Sequence, residues 1–142
     1  MTNSSTGPAP VLTVRDLSVA LPGKHDRPYA VKDVSFDLMP GEILCIIGES
    51  GSGKSVTAST IMGLLPEVMS VEAGSIMFKG DDLTKLSDGE LRKLRGRAVS
   101  IIFQDPLSAL NPLMTIGDQI REVLNAHNVG TKASRADRVV EM

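Results

Sequence analysis

From residue 11 to residue 38 apolar and polar side chains tend to alternate. VLTVRDLSVAL (11–21) is aliphatic and β-branched, and YAVKDVSFDL (29–38) sets Val31, Val34, Phe36 and Leu38 among polar neighbours. Alternation of this kind predicts two strands, the second of them half-exposed. The proline, glycine and charges of PGKHDRP (22–28) predict a turn between them. After a second turn, MPGE (39–42), the pattern changes. EILCII (42–47) is a continuous apolar run, as expected of a strand buried on both faces of a parallel sheet. KSVTASTIMGLL (54–65) then spaces its apolar residues at near-helical intervals and stops before Pro66. GSIMFKGDDL (74–83) predicts a short strand with a turn at Gly80-Asp81, SDGELRKLRG (87–96) a capped, charged helix, and AVSIIFQ (98–104) another buried strand. DPLSALNP (105–112) is a proline-bounded loop, and TIGDQIREVLNAHNV (115–129) has helical periodicity. Antiparallel-patterned strands followed by strand, loop and helix define an α/β organisation with an extra N-terminal antiparallel β layer.

GESGSGKS (48–55) joins the apolar run to the helix-patterned segment. Gly48, Gly53, Lys54 and Ser55 satisfy the P-loop spacing G-x-x-x-x-G-K-[ST]. Glycines let successive backbone N–H groups turn inward without Cβ clashes and form a concave anion nest. The positive end of a helix beginning near Lys54 points at the same place. Lys54 is expected to reach the β- and γ-phosphates of a nucleoside triphosphate, and the Ser55 hydroxyl to ligate Mg²⁺. A flexible Gly/Ser linker is the bland alternative. Linkers, however, are not flanked by a buried strand and an amphipathic helix.

Composition changes this picture little. The 142 residues are 42% hydrophobic and 23% charged with a net charge of −2, which suits one ordinary globular domain and gives no bulk pull toward nucleic acid or anionic membrane. The single cysteine, Cys45, lies inside the apolar run and is expected to be a buried, inert thiol in a reducing cytosol. MTNSSTGPAP (1–10) reads as a disordered tail, and no apolar run approaches a bilayer span. His25 and His127 lack metal-ligand spacing and are expected at the surface.

VSFDLMPGEILCIIGESGSGKSVTASTIMGLLP, with SIIFQDPLSALNPLMTIGDQI further on, resembles the ATP-binding subunit of an ABC transporter, of the dipeptide/oligopeptide importer group. PGE, GESGSGKS and FQDP form a family-specific trio, and the likeness runs from about residue 11 to 129. The resemblance implies a P-loop NTPase core in residues 11–142, incomplete on its C-terminal side. Gly48, Glu49, Ser50, Gly51, Ser52, Gly53, Lys54, Ser55 and Val56 would hold ATP, with Mg²⁺ at Ser55 and at Gln104, the Q-loop glutamine. Gln104 would also link the site to a segment touching transmembrane permease subunits. A second ATP-binding subunit would complete a head-to-tail pair, peripheral at the cytoplasmic face of the membrane.

The family stacks adenine on an aromatic residue just after the first strand. Here that place is near Leu21, and Tyr29, the only tyrosine, stands eight residues later. It would serve if the 22–28 loop folds back, or else it is a core residue opening the second strand. The family's signature motif, second acidic motif with catalytic glutamate, and switch histidine all follow the Q-loop, and none is among these 142 residues. LSDGE (86–90) imitates a signature motif but precedes Gln104, and SDGE is a good helix cap. The expectation is the N-terminal part of an importer ATPase that binds ATP–Mg²⁺ without turning it over. The rival is a small complete P-loop NTPase or nucleotide kinase in which Asp105, closing IIFQD, binds the metal. A non-catalytic nucleotide-binding module stands as a third class, which sequence does not separate from the first.

Overall fold

The computed structural model describes residues 8–23, 27–105, 107 and 109–142. Most of the tail expected over 1–10, His25 and the centre of the 22–28 turn lie outside the described residues. The chain divides into two compact units, 1–93 and 94–142.

The first unit is built on an antiparallel sheet of order β2-β1-β3-β4. Its strands are β1 (Leu12–Ala20), β2 (Tyr29–Leu38), β3 (Ser70–Phe78) and the short β4 (Asp81–Asp82). Val14, Leu17 and Val19 of β1 and Ile76 of β3 are the most deeply buried side chains. Positions 14, 17 and 19 cannot share one face of a regular strand, because side chains alternate with a period of two. The extra residue is absorbed at Asp16, whose φ is 48°. β2 breaks step between Val31 and Val34 in the same way, at Asp33 with φ 51°. β3 does so at Gly74, with φ 93°. The register shifts on both sides of β1 meet at this height.

Side chains close the backbone groups that the bulges free. Ser18 Oγ donates to Asp33 Oδ1 at 3.2 Å and accepts from the Asp33 N–H at 3.0 Å. The Asp16 N–H donates to Ser35 Oγ at 2.8 Å, and Ser35 Oγ donates to Asp16 Oδ1 at 3.1 Å. On the other side of β1, a Cβ on Gly74 would lie 2.4 Å from the Arg15 carbonyl oxygen. Only glycine allows that approach.

The expected strand 11–21 and the strand 29–38 are therefore present. The expected 74–83 strand starts earlier, at Ser70, and its turn is Lys79-Gly80, one residue before the position the sequence suggests. Both turn residues have positive φ, 50° and 100°, the conformation whose twist suits a two-residue hairpin. Helix α1 (Lys54–Ile61) ends short of the expected Leu65. Gly63, with φ 61°, turns the chain, and the Leu64 N–H reaches back to the Ser59 carbonyl at 2.8 Å. Glycine, rather than Pro66, stops the helix.

EILCII departs most from expectation. Residues 42–47 carry no sheet pairing, Ile43 is 90% and Ile47 93% exposed, and Cys45 is exposed rather than buried. An apolar run states that a segment needs cover on both faces; it does not supply the neighbours. Helix α2 (Asp88–Leu94) follows a short 3₁₀ turn (Leu83–Lys85). Glu90 Oε2 accepts the Ser87 N–H at 2.8 Å and the Ser87 hydroxyl at 2.6 Å, and these bonds hold the Glu90 carboxyl below its usual range. SDGE is thus a helix start.

In the second unit, 98–104 is likewise not a buried strand. Its sheet contact is one parallel bridge, Arg95 to Val99, and Ile102 is 91% exposed. Helix α3 (Ile116–Ala126) is capped by Thr115, whose hydroxyl accepts the Asp118 N–H at 3.1 Å. Asn128, with φ 53°, ends it inside the expected 115–129. Helix α4 (Lys132–Glu141) has no counterpart in the sequence reading. Thr131 and Ser134 form a reciprocal capping box, and Arg135 bonds Asn125 Oδ1 and the Val129 carbonyl, each at 2.7 Å.

The Lys85 ammonium, with donors from Thr84, lowers the Asp82 carboxyl to about 2 from its ordinary 3.8. A depressed carboxylate stabilises the fold fully above its unfolded value, and the gain is lost as pH falls through the folded value. Acid unfolding of Asp82→Asn should therefore lack the component that the native chain shows between about pH 4 and 2. The exposed 42–47 run should make the chain bind a hydrophobic dye and self-associate as concentration rises. Ile43→Lys with Ile47→Lys should reduce both while leaving the β-sheet circular dichroism unchanged; a sharp, cooperative melt from a native monomer would contradict this.

Candidate phosphate-binding site

All of GESGSGKS lies in the first unit, where it follows the unpaired apolar run and runs into the first two residues of α1. Gly53 occupies the N-cap of α1 in the left-handed conformation, φ 97° and ψ 2°. A Cβ at this position would fall 2.4 Å from the Ala30 carbonyl oxygen and 3.0 Å from Val31 Cγ2. The loop thus rests directly on the first residues of β2. Gly51 also has positive φ, 78°, but open space around it, so there conformation alone demands glycine. Gly48 faces Ser52, whose hydroxyl oxygen would be 2.7 Å from an added Cβ.

No side chain caps α1, and its first internal bond runs from the Thr57 N–H to the Gly53 carbonyl at 2.8 Å. The N–H groups of the preceding turn therefore have no partner within the helix. Lys54 folds back over the loop: its ammonium donates to the Gly48 carbonyl at 2.7 Å, the Glu49 carbonyl at 2.6 Å and the Ser52 hydroxyl at 3.3 Å. The positive end of the helix and the ammonium thus lie beside the same loop, a distribution of charge that favours an anion there. Ser55 is exposed in the first helical turn, with Val56 next to it half-buried; Glu49 and Ser50 are exposed in the loop. Further along α1, Thr57 and Thr60 are buried and bond back to the carbonyls of Gly53 and Val56, at 3.0 and 2.7 Å.

Tyr29 opens β2 opposite Ala20 and is half-buried. Its hydroxyl donates to Glu72 Oε2 at 3.4 Å, and the Lys32 ammonium lies 5.7 Å from the ring centroid. It stands one residue before Ala30, whose carbonyl Gly53 abuts. A side chain that the sequence reading passed over also meets the loop: Arg27 Nη1 donates to the Gly51 carbonyl at 2.9 Å. No spacing rule marks an arginine in a charged turn, and only the fold reveals it.

Gln104 and Asp105 belong to the second unit. Gln104 sits exposed in a bend rather than ending a strand. Asp105 Oδ1 accepts the Leu107 N–H at 3.2 Å, a local turn-forming bond. The loop beyond is pinned by Gln119, another residue the sequence reading missed. Its Nε2 donates to the Asn111 and Met114 carbonyls at 3.1 and 3.2 Å, and its Oε1 accepts the Asn111 N–H at 2.9 Å.

An antiparallel β layer against a glycine loop, with lysine folded into the loop at a helix start, is the arrangement of a P-loop fold. The chain belongs to the ABC transporter family, whose sequence profile matches residues 31–142. It is 48% identical over 133 residues to the dipeptide transport ATP-binding protein DppD of Bacillus subtilis, covering 93% of this chain and 40% of that protein. To the peptidoglycan transport ATP-binding protein YejF of Agrobacterium fabrum it is 48% identical over 138 residues, covering 96% of this chain and 25% of the relative. The oligopeptide transport ATP-binding protein OppD of Mycobacterium tuberculosis is 44% identical, over 94% of this chain and 22% of its own length. The chain thus spans well under half the length of these relatives. Among solved structures, the dimeric post-hydrolysis state of the ATP-binding cassette MJ0796 bound to ADP and Pi superposes with a TM-score of 0.72 at 25% identity, over 92% of this chain and 54% of that one.

Gly53→Ala should displace the loop, since it meets both a positive φ and the Ala30 carbonyl. Inorganic pyrophosphate binding, measured by calorimetry, is expected to weaken at least about tenfold, whereas Gly89→Ala, in open space on α2, should leave it unchanged.

Proposed function

We propose that this chain is a nucleotide-binding part of an ABC importer ATPase for dipeptides or oligopeptides, and that residues 48–56 hold ATP–Mg²⁺. The observation that carries the reading is the Lys54 ammonium, placed on the Gly48 and Glu49 carbonyls beside the uncapped start of α1. A triphosphate offers that ammonium and those N–H groups stronger partners than backbone carbonyls. In this reading the N–H groups of the loop cradle the phosphates, Lys54 neutralises them, and Ser55 ligates Mg²⁺, which draws off charge developing on the phosphate oxygens. Gln104 is the second metal-side residue and the link to transmembrane permease subunits. Tyr29 stacks the adenine, a role supported by its place one residue from the carbonyl on which the loop rests.

The peptide cargo rests on the likeness to DppD and OppD, named for dipeptide and oligopeptide transport. A second ATP-binding subunit is proposed as partner, supported by the dimeric structure of the MJ0796 cassette. The near-balance of 15 basic and 17 acidic residues favours no nucleic-acid partner. No helix among the described residues is long and apolar enough to cross a membrane. Work at the cytoplasmic face would then be peripheral, through the permease.

Calorimetry with ATP–Mg²⁺ tests the reading. The 142-residue chain should bind, and Lys54→Ala should weaken binding by about tenfold or more. Phosphoryl transfer to water depends on a group that orients the water, and none of the residues assigned here has that role. Steady-state hydrolysis should therefore not exceed that of Lys54→Ala. Turnover above that control would bring Asp105 forward as a metal ligand of a small NTPase, and absence of binding would overturn the proposal.

A further inference from the structure

Arg27 lies in the turn between β1 and β2, outside the glycine-rich motif and 21 positions before its first glycine. Its guanidinium is a fork with both arms engaged. Nη1 donates to the Gly51 carbonyl at 2.9 Å, and Nη2 donates to the Ala30 carbonyl at 3.2 Å. Ala30 O is also the atom 2.4 Å from where a Cβ on Gly53 would be. Arg27 therefore bridges a carbonyl inside the phosphate loop to the carbonyl on which the last glycine of the loop rests.

We propose that Arg27 is a positioning residue that sets the Gly51–Ser52 peptide plane, and with it the shape of the anion nest; its effect on ligand affinity rests on the phosphate-binding reading above. A trans peptide is planar, with its C=O and N–H pointing opposite ways. With Gly51 O held by Arg27, the Ser52 N–H is directed to Glu49 O, at 3.2 Å. That same oxygen accepts the Lys54 ammonium at 2.6 Å. The two cations thus fix the loop backbone between them, each through a carbonyl. Gly51 has positive φ and no atom within 4 Å of its missing Cβ, so no side chain at this position packs to hold the peptide in place. Two hydrogen bonds oppose rotation, the Ser52 N–H to Glu49 O within the loop and Arg27 to Gly51 O from outside it, and the second is the one a side chain supplies. A lysine at 27 could make one of the two bonds, while spanning both carbonyls needs the planar fork.

Two measurements on Arg27→Ala and Arg27→Lys test this. The first is amide hydrogen exchange at Ser52, read against Val14 and Val19 in the buried sheet of the same sample. The second is calorimetric affinity for ATP–Mg²⁺ and for inorganic pyrophosphate–Mg²⁺. In Arg27→Ala, Ser52 should exchange at least about fivefold faster while the sheet amides stay unchanged. Both affinities should fall by the same factor, roughly tenfold, and Arg27→Lys should lie between alanine and native. Unchanged Ser52 exchange in a folded variant would overturn the proposal. So would a loss of ATP affinity with pyrophosphate affinity intact, because Arg27 would then act on the rest of the nucleotide rather than on the loop. Should the native chain bind neither ligand, the phosphate-binding reading fails and the exchange comparison alone decides the role of Arg27. Should Arg27→Ala not fold, Arg27→Lys decides by the same readouts.

Discussion

The carbonyl oxygen of Ala30 occupies the place where a side chain on Gly53 would be. That steric fact orients the site. It sets the start of α1 against the beginning of β2, turns the residue before Lys54 left-handed, and leaves the first turn of the helix without a side-chain cap. Helix dipole, loop N–H groups and ammonium converge because the backbone comes this close to a strand. β2 can serve as the reference because it is held itself, by its antiparallel ladder with β1 and, where the bulges interrupt that ladder, by the paired bonds of Ser18 with Asp33 and Asp16 with Ser35. The loop thus rests on a strand that is fixed by both backbone and side-chain bonds.

Much of this was legible in the residues. The spacing of Gly48, Gly53, Lys54 and Ser55 predicts a glycine loop running into a helix, which is present, and β2 has the expected bounds. The bulges were legible too, in hindsight: apolar positions 14, 17 and 19, like 31 and 34, break a period of two, and each break falls at an aspartate tolerant of positive φ. What the sequence hid was partnership. EILCII and AVSIIFQ read as buried strands because their composition demands cover, yet cover comes from other segments, and neither run is in a sheet here. The same composition predicts a buried Cys45, which is exposed for the same reason.

Helix ends show a second limit. α1 stops at Gly63 and α3 at Asn128, where a left-handed residue is worth more than continued periodicity. α4 escaped the reading because its start depends on reciprocal bonds between Thr131 and Ser134, a serine in place of the acidic or amide residue usual in that box. Arg27 and Gln119 went unnoticed on similar grounds. Both bond backbone carbonyls, and a carbonyl leaves no trace in the sequence of the residue that carries it.

The coincidence of Asp16, Asp33 and Gly74 at one height of the sheet has a consequence for how this layer can diverge. Adding or deleting a residue in any one of these strands would move its bulge away from the other two. It would reverse the facing of every side chain beyond that point, and in β1 or β3 it would also take Gly74 out of line with the Arg15 carbonyl. Repair would require simultaneous changes of length in three separate stretches of gene. The layer beneath the phosphate loop is therefore open to exchange of side chains and nearly closed to changes in length, so that length variation among relatives should collect in the turns that join its strands.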